Sequence, residues 1–90
     1  MNDDALPGAD LVQSGLQDLN DGKESIPALL VSIGANRLRR AGIEVPSPRA
    51  QPELRLYELL AASHGDAAHS QYNALIRRLV SYERALECAR

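Results

Sequence analysis

Residues 71–90, QYNALIRRLVSYERALECAR, carry the pattern on which the fold turns. Tyr72, Leu75, Leu79, Tyr82, Leu86 and Ala89 recur at spacings of three and four, which sets them along one stripe of an α-helix. Ile76 and Val80 widen the apolar arc to roughly half the circumference, while Arg77, Ser81, Arg84 and Cys88 take the far side. The spacing predicts a helix from Ala67 to Cys88. Such a stripe is evidence about packing rather than chemistry, because it must bury itself against other helices of the same chain or of a second copy. It is too short to stand as an autonomous coiled coil.

Upstream, His64-Gly65-Asp66 reads as a stop and a restart, Gly65 ending one helix and Asp66 capping the next. The helix before it is expected over Pro52–Ser63. Leu54, Leu56, Tyr57, Leu59, Leu60 and Ala61 cover well over half of its circumference, which predicts a central helix or one covered by a partner. Pro46, Pro48 and Pro52 exclude a helix interior from Ile43 to Pro52, so this segment is an extended connector pinned by Ile43 and Val45. Before it, Ser25 caps a helix with Pro27 in its first turn and Ile26, Leu29, Leu30 and Ile33 on its buried stripe. Continuing that helix would set Arg37 and Arg40 on the stripe, so a break is expected at Gly34-Ala35. Asn36 would then cap a short turn to Ala41, with Leu38 pointing inward and Gly42 as terminator. Asp10 is expected to cap a first helix to about Asn20, with Leu11, Val12, Gly15, Leu16 and Leu19 on one face and Asp21-Gly22 at its end. Residues 1–9 lack periodicity and read as a disordered acidic N-terminus, leaving 10–90 as a single domain. The fold class that follows is all-α: a compact bundle of four main helices plus one short helical turn.

The 90 residues include 14 Leu, 4 Ile and 4 Val but neither Phe nor Trp. A chain this long buries roughly 60–65% of its unfolded surface, so its stability is marginal and association is an expected remedy. The charge of −2 is unevenly spread: residues 1–25 hold six acids against Lys23, and the remainder holds nine Arg against six acids. The acidic head and the Arg-bearing body can pair within the chain, between copies or with a partner. The high Arg:Lys ratio with abundant Ala and Leu points to a GC-rich, bacterial genome. Cys88, as the single cysteine, excludes an internal disulfide. An acidic opening without an apolar stretch, and no apolar run of bilayer length, make the cytoplasm the expected location and exclude a membrane partner.

The expected interface is built from Tyr57, Leu60, Tyr72, Leu75, Leu79, Tyr82 and Leu86, with tyrosine suited to such a surface by its flat apolar face and polar tip. Glu83 falls inside the apolar arc of its helix. A buried carboxylate is costly, so it should either reach water where the core thins or meet Arg37, Arg40 or Arg55, as an interface ion pair in the sharper case. Arg37, Arg39, Arg40 and Arg49 form a basic cluster that would otherwise be a solvated face, or a patch for nucleic acid or an acidic partner. Asn36–Ala41 is short for a recognition helix. His64, Asp66 and His69 lack the further donor that zinc requires, and near neighbours on a turn cannot make a hydrolytic triad with Ser63. Cys88 reads as an inert thiol and Pro46-Ser47-Pro48 as a rigid connector. No cofactor, metal or small-molecule substrate is inferred. The expectation is a non-enzymatic protein–protein interaction module, self-associating or the small partner of a larger assembly, with nucleic-acid binding through the arginines as the alternative.

Overall fold

The computed structural model describes residues 6–88, and its elements are α1 (Ala9–Asn20), α2 (Ile26–Ile33), α3 (Ala35–Arg40), α4 (Pro52–His64) and α5 (Ala68–Cys88), with a 3-10 turn at Gly65–Ala67. No strand occurs among the described residues. The fold is all-α, four main helices and one short one, with a radius of gyration of 12.6 Å. About 12 Å is usual for a compact chain of this length. No helix of the described residues is long and apolar enough to cross a membrane.

α1 and α2 form the first hairpin. Gly15 permits their close approach: a Cβ there would run into the Pro27 carbonyl oxygen and the Val31 side chain. The Ser25 hydroxyl accepts from the Ala28 N–H at 3.1 Å and donates to Asp18 at 2.6 Å, so one side chain caps α2 and ties it to α1. Gly22 and Gly42 both take positive φ where α1 and α3 end. The amides of Lys23 and Ile43 reach back to the carbonyls of Asp18 and Leu38, which closes each helix in a Schellman motif. The expected break at Gly34 is present, and Leu38 is fully buried.

Four local expectations are corrected. α1 begins at Ala9 behind Gly8, which adopts φ 78° and packs against the Arg78 carbonyl and Tyr82 of α5, so Asp10 lies in the first turn instead of capping it. Of the segment expected to be disordered, residues 1–5 lie outside the described residues. Leu6, however, is half-buried, and Ala9 is buried in the core. α3 is preceded by Gly34, with no side-chain cap from Asn36, and Asp66 sits inside the 3-10 turn ahead of α5.

The central helix is α2, not α4. Ala28, Leu29, Leu30 and Val31 are fully buried, and α2 contacts α1, α4 and α5. Its eight residues carry no charge, so every side can be covered without stranding an ion. α4 buries only Leu56 and Leu60. The connector that leads to it is held by Val45, which is buried, and by two hydrogen bonds: Arg39 to the Val45 carbonyl at 3.0 Å, and the Arg49 amide to the buried Ser32 hydroxyl at 2.9 Å. α5, the longest helix of the described residues, spans 21 residues and about 31 Å at 1.5 Å per residue. Its first half packs on α4, and its second half reaches α1 and the α2–α3 junction.

Candidate functional site

Because α4 meets the core through Leu56 and Leu60, a second stripe at the same helical spacing is left on its outer side: Leu54, Tyr57, Ala61 and His64, all exposed. Leu54 is 56% exposed and Tyr57 40%, the only large hydrophobic side chains so open among the described residues. The two lie one turn apart and so adjoin. The Tyr57 ring rests on that of Tyr72 from α5, centroids 5.9 Å apart and planes inclined at 54°, a tilted geometry favourable to aromatic pairs. Burial, and secondarily the charge of Glu53, push the Tyr72 hydroxyl above its ordinary pKa. The result is a small apolar patch, Leu54 beside Tyr57, with the carboxylate of Glu53 close enough to act on Tyr72.

The interface expected from the sequence is only partly available. Leu60, Leu79, Tyr82 and Leu86 are buried inside the chain's own core, while Tyr72 and Leu75 are half-buried against it. They are taken up because the seam of α5 closes over α1, α2 and α4. Only Tyr57, with the flank of Tyr72 and Leu75, stays near the surface. Leu54 and Ala61 belong to the patch but were not among the expected anchors. Their signal was present in the sequence as the three-four-three spacing from Leu54 to His64.

Glu83 is buried, 4% exposed, at the junction of α3 and α5. Its carboxylate lies 3.5 Å from Arg37, which also makes a two-pronged pair with Glu87, both bonds at 2.8 Å. The pairing is therefore within one chain, and the alternative in which the core thins and the carboxylate reaches water is overturned. Gly34 makes room for it, since a Cβ there would stand 2.7 Å from a Glu83 oxygen. Burial raises the Glu83 pKa against the opposing pull of Arg37, whereas the hydrogen bonds from Arg37 hold Glu87 low.

The basic cluster is largely occupied. Arg37 is paired as described, Arg39 donates to Val45, and Arg49 lies 3.9 Å from Glu24. Arg55 binds Glu24 at 2.6 Å and Glu58 at 2.7 Å, and Arg78 reaches Asp10 at 3.0 Å. Asp10 and Glu24 of the acidic head thus pair with the Arg-bearing body inside one molecule. An open depression of about 500 Å³ is lined by Arg37, Arg40, Ala41 and Glu87, and a second of about 420 Å³ by residues including Gln13, Gln17 and Glu44. His69 contacts Asn73 at 3.2 Å, and no group of three metal-ligating side chains occurs among the described residues. Cys88 is exposed. The chain matches no protein-family model, no curated protein and no solved structure.

Proposed function

We propose that this chain is a non-enzymatic protein–protein interaction module that binds a protein partner, a second copy or a heterologous chain, on the outer face of α4 and the adjoining edge of α5. The observation that carries the reading is the contiguity of Leu54 and Tyr57 on one stripe, exposed and braced by Tyr72. Apolar side chains scattered singly over a surface need no explanation. An aromatic anchor beside an aliphatic one on a rigid helix is the arrangement that supplies binding energy at a small entropic cost. A bacterial, cytoplasmic setting belongs to the same reading and rests on composition alone. An arginine-led contact with nucleic acid has less behind it, since Arg37, Arg39 and Arg49 already face acceptors that would have to be displaced.

Native mass spectrometry of the full chain recovered from its own cells tests the proposal. The wild-type chain is expected in a stoichiometric protein complex, and the Leu54→Glu/Tyr57→Glu variant is expected outside it while still melting cooperatively, with only the small loss that removing the Tyr57–Tyr72 contact brings. A wild-type chain in no stoichiometric complex, self or heterologous, sinks the reading.

A further inference from the structure

We infer that the depression between the end of α3 and the end of α5 binds a doubly charged oxyanion of the phosphate class, and that Glu87 occupies its cradle in the free chain. The site lies apart from the α4 face and does not depend on it. Arg37 carries the geometry. Its Nε and Nη2 donate in parallel to the two oxygens of Glu87, both at 2.8 Å, while Nη1 lies 3.5 Å from Glu83. The guanidinium is a planar, rigid fork, so a hold on Nη1 fixes the direction of its other edge. Glu83 supplies that hold from within the core, with Gly34 leaving it room. A carboxylate that is costly to bury thereby acts as a positioning residue: it aims the outer edge of Arg37 at the depression that Arg37, Arg40, Ala41 and Glu87 line. Two parallel N–H groups on such an edge are what carboxylates and phosphates accept in bidentate fashion.

Charge sets the class of ligand. Arg37, through its hydrogen bonds first, and then Arg40 and Arg84 all hold the Glu87 carboxyl below its ordinary value. Three guanidiniums therefore converge on one exposed carboxylate, which carries a single charge where a phosphate monoester carries nearly two. Glu87 lies in the last turn of α5 and is exposed, so it can swing into water while Glu83 keeps Arg37 in place. An oxyanion that displaces it accepts the same two N–H bonds and brings more charge to Arg40 and Arg84. A monocarboxylate offers no more than Glu87 already does. The depression, about 500 Å³, falls within the range of small-ligand sites and has room for a small ester group on the phosphate.

An NMR titration of the isotope-labelled full chain at neutral pH tests the inference. Methyl phosphate, inorganic phosphate and acetate are each added from about 0.1 to about 20 mM at fixed ionic strength. The Arg37 Nε–H signal and the Ala41 amide report on the site, and the backbone spectrum checks that each variant is folded. Both phosphates are expected to give saturable shifts there, and acetate is not. Glu87→Gln removes the internal competitor and is expected to tighten phosphate binding about tenfold, whereas Arg40→Gln is expected to weaken it about tenfold. Arg55→Gln, on α4, is expected to leave it unchanged. Tighter binding of methyl phosphate assigns the site to an ester; equal or weaker binding assigns it to the free ion. No saturable shift in the wild type overturns the inference, as does acetate bound as tightly as phosphate. So does a Glu87→Gln chain that binds no tighter than wild type, or an Arg40→Gln loss that is absent or matched by Arg55→Gln.

Discussion

At the scale of single residues, Glu83 is where the fold pays for its packing. Its carboxylate is buried beside Leu79 and Gly34 and meets Arg37, whose stronger contacts are to the exposed Glu87. Burial lifts the folded-state pKa of Glu83 above the ordinary carboxylate value. The ionised form therefore weighs against folding at neutral pH, and that burden is relieved as pH falls through the raised value. Glu24 and Glu87 behave oppositely: hydrogen bonds from Arg55 and Arg37 hold them low, so their support is present above the ordinary value and is lost in acid. Glu83→Gln is accordingly expected to raise the urea midpoint at neutral pH, with the gain shrinking as mild acid neutralises the native carboxyl. Arg37→Ala is expected to lower the midpoint at neutral pH, because it leaves Glu83 buried without its cation, and to recover part of the loss in mild acid. A Glu83→Gln chain less stable than wild type at neutral pH would show the ion pair outweighing its desolvation.

At the scale of elements, the helices follow from local rules, and their contacts from where side chains are missing. Ser25, Pro27, Gly34 and Gly42 mark the helix ends their chemistry requires, and the structure uses all four. The starts of α1 and α3 were misread from Asp10 and Asn36 because a glycine packed against α5 decides each one, and such packing leaves no local signature. Gly15 separates propensity from packing. In an isolated helix, Gly→Ala would gain roughly 0.5–1 kcal/mol. Here the added methyl meets the Pro27 carbonyl, so Gly15→Ala is expected to destabilise the chain by about 2 kcal/mol, in the range of core overpacking. Chemical denaturation measures it, and a stabilised variant would mean that α1 and α2 are not in close contact.

At the scale of the whole molecule, the division between core and surface on α4 governs both stability and association. Leu60 is 1% exposed and Leu54 56%, six residues apart on one helix. Leu60→Ala is expected to cost about 3 kcal/mol through lost burial and an unfilled cavity. Leu54→Glu is expected to shift the stability of the isolated chain by no more than about 0.5 kcal/mol, as at an ordinary surface site. Thermal melts of the two variants at one low concentration distinguish them. Equal losses would mean that Leu54 is not on the outside of the monomer.

The sequence by itself determined the number of helices, the break at Gly34, the proline-bound connector and the apolar seam of α5, because periodicity, capping and proline geometry act over a few residues. It also singled out Glu83 and included Arg37 among its candidate partners, but it could not choose between that pairing and a carboxylate reaching water. Only the tertiary structure decided which apolar helix is central, which seam residues the chain consumes for itself and which arginines are already paired. The sequence reads α4 as apolar on nearly all sides and gives α2 a single buried stripe; in the structure the charge-free α2 lies inside and α4, bearing Glu53, Arg55 and Glu58, lies at the surface. That choice depends on how the areas of all the helices sum in three dimensions, and no window along the chain contains the sum.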